Sequence, residues 1–339
     1  MFDETRLERS EQPPELPTTV RGFLDAIIAS PEDDAARQIY ADWLMAQDDP
    51  RGEFIAVQCE LARLETLAAK DKATKERVGS LRTRSEALLA KHKKTWTTPL
   101  RAGSIESTIG GRKSKRGNPT HWTFSRGFVD TLTMNVDDFG VAGAKILAHE
   151  PVRVVRLTGL QWAEDASFVD FEGAEHLRGL DLSGNRVPMD VAADLGAKPL
   201  TSLERLSVND CRMGSRVLKK ILPASPELWP ALRELDLGFN EFKDAGAKTL
   251  AKWKGTPRLR HIDLAWTGLR MAGLKALTSL SLAVEDIVLD FNGELGRAGA
   301  ELLAKAQWPA LKRLSAKQCN MTKADLTPLR ERGVKVVLQ

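Results

Sequence analysis

One nine-position line, apolar at positions one, four and six and closed by Asn or Cys at position nine, recurs from Val129 to the C-terminus. It is clearest in Leu177-x-x-Leu180-x-Leu182-x-x-Asn185, Leu232-x-x-Leu235-x-Leu237-x-x-Asn240 and Leu203-x-x-Leu206-x-Val208-x-x-Cys211. Further copies start at Val129, Val152, Leu259, Val284 and Leu311, and Val334-x-x-Val337 begins one that the chain end truncates. Successive starts differ by 23, 25, 26, 29, 27, 25 and 27 residues, the differences of those positions. Positions four and six share one face of a strand, because side chains alternate with period two. Position nine lies where the chain leaves the strand, and its backbone groups need partners inside the stack. Asn185, Asn240 and Asn292 carry an amide suited to that task, and Cys211 and Cys319 fill the same place as small buried residues.

A second signature follows each strand. Ala142-Gly143-Ala144-Lys145-Ile146-Leu147-Ala148, Ala245-Gly246-Ala247-Lys248-Thr249-Leu250-Ala251 and Ala298-Gly299-Ala300-Glu301-Leu302-Leu303-Ala304 are near copies at one register. Their apolar residues recur at helical spacing, with Asp244 placed to cap the fifth copy. Each unit therefore reads as strand, turn, helix, turn. Strands are narrower than helices, so a stack of such units curves with its strands inside.

These residues resemble the long, helix-bearing leucine-rich repeats of the kind seen in ribonuclease inhibitor, over roughly 210 residues. The resemblance implies an α/β fold, a curved solenoid over 126–339 with parallel strands on its concave side. It also implies a protein-binding surface in place of a deep pocket.

The first 125 residues are of another kind. Residues 1–17, with Pro13, Pro14 and Pro17, read as a disordered lead-in. Residues 18–100 read as a small all-α domain, with apolar stripes at Phe23, Leu24, Ile27 and Ile28 and at Ile39, Tyr40, Trp43 and Leu44. Ser30-Pro31-Glu32-Asp33 reads as a helix start. The segments Ala36-Arg37-Gln38-Ile39-Tyr40-Ala41-Asp42-Trp43-Leu44 and Asp49-Pro50-Arg51-Gly52-Glu53-Phe54-Ile55 are similar to the "repeat-companion" domain. That domain precedes such repeats in some bacteria, including myxobacteria and planctomycetes, and it brings no activity with it. Asp42, Asp48, Asp49, Arg51 and Glu53 read as turn and ion-pair residues, with Asp42 or Glu53 holding Arg37 or Arg51.

Residues 101–125 read as a Gly- and Ser-rich basic loop and cap. Arg112, Lys113, Lys115 and Arg116 are the candidate nucleic-acid contacts, since clustered cations gain by counterion release. No aromatic interrupts that run, so base stacking has no support there. Trp122, Phe124 and Phe128 read as the cover of the first repeat.

Chemistry is hard to find. The five histidines are scattered, the three cysteines are far apart, and neither a zinc spacing, a phosphate loop nor a nucleophile elbow occurs. No cofactor or metal is expected, and the chain is expected to be non-enzymatic. No apolar run approaches the roughly 18 residues of a membrane helix. The polar start and the cysteine usage read as a cytoplasmic protein. With 50 basic and 46 acidic residues, net charge selects no partner.

The outward strand positions nominate the binding face. Glu234, Asp236, Asp263, Asp286 and Asp290 form an acidic centre between Arg156 and Arg313 with Lys317. Phe239, Trp266 and Phe291, at position eight of three successive repeats, read as a ridge with about 5 Å between neighbours. The expected function is an interaction scaffold holding a basic, partly apolar protein segment. A nucleic-acid-associated protein and a regulator of a partner enzyme are the alternatives.

Overall fold

A computed structural model describes residues 19–30, 32–67, 71–98, 100, 105–109, 112–116, 119–163, 166–170, 173–253, 258–278 and 283–338, with backbone alone for 105–109, 112–116 and Trp162. The expected lead-in, 1–17, lies outside them. Contacts divide the chain into two units, Met1–Lys91 and His92–Gln339.

In the first unit, helix α1 (Val20–Ala29) opens on Thr19, whose hydroxyl accepts the Gly22 N–H, and buries Phe23, Leu24 and Ile27. Phe23 stacks on Tyr40 of α2 (Ala35–Met45) with ring centroids 4.9 Å apart. Helix α2 starts later than the Ser30-Pro31 signal suggested. Ser30 ends α1, the Asp33 N–H bonds back to the Ser30 carbonyl, and the Asp33 carboxylate receives the Ala35 N–H at 2.9 Å. Local turn bonding thus wins over capping by Ser30. Helix α3 (Pro50–Glu65) begins with Pro at its first position and Asp49 as cap. Helix α4 (Lys72–Trp96) faces α3 through Arg77–Glu60, Arg82–Glu65 and Arg84–Glu53 pairs. Glu53 is therefore spoken for by Arg84, bidentate at 2.6 Å, and not by Arg37 or Arg51. That guanidinium holds its carboxyl below the usual range. Buried Arg37 instead donates to the Asp33 carbonyl at 3.1 Å.

Gly52 fixes the α2–α3 crossing, because a Cβ there would stand 2.5 Å from the Ala41 carbonyl oxygen and 2.8 Å from the Met45 nitrogen. Alanine ordinarily helps a helix, but here it forces backbone apart. We expect Gly52→Ala to cost about 2 kcal/mol locally, speeding amide exchange across Phe23–Leu64 roughly 30-fold. Unchanged protection in hydrogen-exchange mass spectrometry would refute this reading of the crossing.

The second unit is an α/β leucine-rich-repeat solenoid. Strands β1 (Ile105–Ile109) and β2 (Arg112–Arg116) pair as an antiparallel hairpin, so the basic run lies on a strand where a loop was expected. Strand β3 (His121–Ser125) pairs antiparallel with β4 (Phe128–Asn135) across Arg126 and Gly127, both at positive φ as a two-residue hairpin turn requires. Trp122 and Phe124 pack on the repeat core and Phe128 is buried. From β4 onward the strands are parallel: β5 (Val154–Thr158), β6 (Gly179–Asp181), β7 (Arg205–Ser207), β8 (Glu234–Asp236), β9 (His261–Asp263), β10 (Asp286–Val288), β11 (Arg313–Ser315) and β12 (Lys335–Val337).

Pairing places position three opposite position three throughout: Thr131, Val154, Gly179, Arg205, Glu234, His261, Asp286, Arg313, Lys335. The last member corrects the frame of the truncated copy. Val336, not Val337, lies level with Leu314, because the helix Thr327–Glu331 is short and returns the chain one residue early. Positions four and six bury Leu180, Leu182, Leu206, Val208, Leu235 and Leu237 in one continuous core.

Position nine ties neighbouring repeats. Asn240 Nδ2 donates to the Val208, Leu237 and Gly238 carbonyls, and its Oδ1 accepts from the Cys211 and Met213 N–H groups, at 2.7 to 3.0 Å. Asn185 and Asn292 repeat the pattern. Cys211 and Cys319 donate their thiols to Leu182 and Leu289, the position-six carbonyls one repeat earlier. Burial pushes both thiols up, to about 12 and about 11, so they stay protonated donors.

Candidate functional site

The strand-to-corner transition imposes a left-handed residue at position eight. Its N–H must turn to the position-seven carbonyl of the next repeat, as in Gly184 to Asn209, Asp210 to Gly238, Phe239 to Ala265, Trp266 to Asp290 and Phe291 to Lys317. Gly184 sits at φ 77° and Asp210 at φ 51°, residue types that tolerate this region. Phe239, Trp266 and Phe291 occupy the same place at φ 54°, 51° and 62°. A bulky L-residue there costs roughly 1 kcal/mol. They do not recover it by burial, since they remain 42%, 47% and 48% exposed. Three successive repeats thus hold large rings in the open at a position that suits glycine.

The rings do not form the evenly spaced ridge the repeat length suggests. Phe239 stacks on Trp266 at 6.1 Å and 16° between planes, and Phe291, two repeats away, comes within 6.3 Å of Phe239. They close into one cluster, as their mutual contact covers apolar surface that separate rings would leave wet.

The acidic residues divide by role. Asp236 and Asp263 share position five, and Asp290 stands at position seven of its repeat. Asp236 is fully engaged: Oδ1 accepts from Gly238 N and Asn209 Nδ2, and Oδ2 from Ser207 Oγ. Asp290 accepts the Lys317 N–H at 2.8 Å. Asp286 receives Arg313 through both oxygens at 2.9 Å, with His261 Nδ1 at 3.2 Å. Arg156 stands 3.6 Å from Asp181. Of the basic ends, Arg313 thus pairs with the acidic centre and Arg156 with Asp181. Glu234 is exposed and makes no ion pair among the described residues.

Asp263 is the exception. Its Oδ1 accepts the Ala265 N–H at 2.7 Å, and Oδ2 has no hydrogen-bond partner among the described residues. Burial pushes its carboxyl up to about 6, with Asp236 and Asp290 adding repulsion and His261 opposing it. Gly238 makes room for this convergence. A Cβ there would meet Asn209 Nδ2 at 2.8 Å, Asp263 Oδ1 at 3.2 Å and Asp236 Oδ1 at 3.3 Å. A depression of about 280 Å³ on the strand face is lined by Asp181, Arg205, Glu234, Asp236, His261 and Asp263 among others.

A folded-state carboxyl raised above its unfolded 3.8 favours the fold most when protonated. That contribution is complete below pH 3.8 and is lost as pH rises through 6. Asp263→Asn keeps the Ala265 acceptor and removes the charge. We expect it to stabilise the fold at pH 7.5 by on the order of 1 kcal/mol after solvent screening, with the gain vanishing near pH 4. Equal melting temperatures of variant and parent across that range would contradict the assignment.

Arg112, Lys113, Lys115 and Arg116 lie on β2, and the structure brings none of the strand-face residues to that hairpin in the sheet order. Among the described residues, no group of His, Cys, Asp and Glu has the arrangement of a metal site, and no helix is long and apolar enough to cross a membrane. Two features went unread in the sequence. The positive φ at position eight was signalled by Gly184 and Asp210 standing in that column. Arg186 and Arg212, one turn further on, line a groove on the same rim.

The fold and its exposed strand face are those of a leucine-rich-repeat protein. Residues 230–251, which contain β8 and most of the helix after it, match the family model for a leucine-rich repeat. The chain is also similar to the human "NACHT, LRR and PYD domains-containing protein 12", 32% identical over 170 residues, which is 45% of this chain. It spans 15% of that protein's length. Domains built from such repeats generally mediate protein–protein interaction.

Proposed function

We propose that the chain is a non-catalytic interaction scaffold that holds a basic, partly apolar protein segment on the concave strand face. The supporting observation is the cluster of Phe239, Trp266 and Phe291, large rings kept exposed at a backbone position that penalises them. Exposed aromatics beside charge are the material of interface hot spots. Asp263, with a free carboxylate oxygen and a carboxyl held near 6, sits beside them and gains most from a cationic neighbour. A partner lysine or arginine would offset the charge of its carboxylate and stack its stem or guanidinium on the rings. Asp236, Asp290 and Asp286 shape this surface through the bonds they already make, while Glu234 extends its charge.

Selection of random displayed peptides on the full chain tests the proposal. Enriched sequences should pair Lys or Arg with aromatic or aliphatic residues, and enrichment should disappear on a variant with Phe239, Trp266 and Phe291 all changed to Gly. Equal enrichment of the same sequences on that variant would overturn it.

A further inference from the structure

The position-eight row continues from the rings toward the N-terminal repeats and changes chemistry. After Phe239 it passes through Asp210 to Gly184, and there the rim opens into a groove of about 600 Å³. Gln161, Gly184, Arg186, Pro188, Met189 and Arg212 line it. Arg186 and Arg212 are both exposed, and neither forms an ion pair or side-chain hydrogen bond among the described residues. Arg212 is itself held at φ 51°, another bulky residue in the left-handed region at the rim. Other cations of the array do have carboxylate partners, as Arg153 has Asp130, Arg178 has Glu204, Lys312 has Glu285 and Arg313 has Asp286. Two exposed guanidinium groups without a carboxylate partner among the described residues thus share one groove.

We infer that this groove receives an acidic side chain of the same partner segment that the aromatic cluster binds, so that the segment is bipartite and its direction fixed. The inference rests on the reading of the cluster as a binding site. Charge complementarity selects the occupant: guanidinium pairs take carboxylates in forked hydrogen bonds, whereas the cation-accepting Asp263 belongs to the sixth repeat. Spacing follows from the repeats. Arg186 and Arg212 belong to the third and fourth, the rings to the fifth, sixth and seventh, so the two centres lie two and a half strand spacings apart, about 12 Å. An extended segment covers that in about four residues. The partner's acidic residue thus lies over the N-terminal repeats, and its basic, apolar residues lie about four positions away over Trp266. Reversed segments place like charges together at both ends.

The test uses the same random peptides, long enough to cross five repeats, selected on the full chain and then titrated individually. The expected result is an Asp or Glu enriched at a fixed distance of about four residues from the aromatic and basic positions. Arg186→Glu with Arg212→Glu should weaken such peptides about tenfold and, on reselection, replace the acidic position by Lys or Arg. Arg186→Gln with Arg212→Gln, a milder pair, should also weaken these peptides and on reselection remove the acidic position without reversing its charge, and it serves if the reversed pair fails to fold. Peptides that depend on the rings but show no acidic position, or that bind the arginine variants equally, overturn the bipartite arrangement and leave the aromatic site standing. Peptides indifferent to the rings as well overturn both.

Discussion

Replacing Asn240 with Ala should destabilise the repeat unit by about 3 to 5 kcal/mol, among the largest single-residue effects in the array. Asn240 is 1% exposed and makes five hydrogen bonds, three of them to the fourth repeat and two within the fifth. Truncation removes both partners' complement at once. The Cys211 and Met213 N–H groups and the Val208 carbonyl are left buried where water cannot replace the amide, and each orphaned group carries its own desolvation cost. Asn240→Asp fares no better, because a carboxylate cannot donate to the three carbonyls facing it. Asn209→Ala, whose side chain bonds only to Asp236 among the described residues, should cost under about 1 kcal/mol. Solenoid stability is a sum of repeat terms and nearest-neighbour terms, so the lesion should also uncouple the halves of the array and broaden its urea transition. A loss below about 1 kcal/mol with an unbroadened transition would show that the Asn column does not carry the inter-repeat bond.

The second large effect is one of binding without folding. Changing Phe239, Trp266 and Phe291 together to Gly should weaken the selected peptides about 100-fold or more. The same triple change should leave stability within about 1 kcal/mol of the parent. Two opposing contributions produce that near balance. Glycine relieves the left-handed strain at three positions, roughly 1 kcal/mol each. The stacked contacts between the rings, about 0.5 to 1.5 kcal/mol per pair, are lost. Three aromatics of structural use would behave otherwise, since truncating a core ring costs about 3 to 5 kcal/mol.

Much of this architecture is written in local, periodic signals. The Leu columns and the Asn and Cys corner define strand, register and stack, because each position meets the same neighbours one repeat away; hence the pairing of position three with position three from Thr131 to Arg313. The period fails where a repeat shortens, and Val336 takes the place Val337 seemed to hold. Helix starts are less legible: Asp49-Pro50, which reads as turn chemistry, caps and opens a helix, and at Ser30 the Asp33 carboxylate captures the Ala35 N–H instead.

The site was legible as a set of columns but not as a set of contacts. Phe239, Trp266 and Phe291 stood in one column, yet their closure to 6.1 and 6.3 Å depends on rotamers that spacing does not encode. The acidic centre looked uniform because alternation gives only the side a residue faces. Which carboxylates are already satisfied depends on loop N–H groups and cross-repeat partners, and these separate Asp286 and Asp236 from Asp263. The arginine groove escaped notice because Arg186 and Arg212 lie beyond the strand, where period-two reasoning no longer applies.

The central claim is that position eight of the fifth to seventh repeats serves recognition at the expense of local backbone comfort. Thermal melting and peptide titration of the triple glycine variant, run side by side with the parent, test it most directly. A melting temperature equal to or above the parent's, with peptide affinity lost, is the predicted result. A variant that melts well below the parent, or one that binds the same peptides with undiminished affinity, would contradict it.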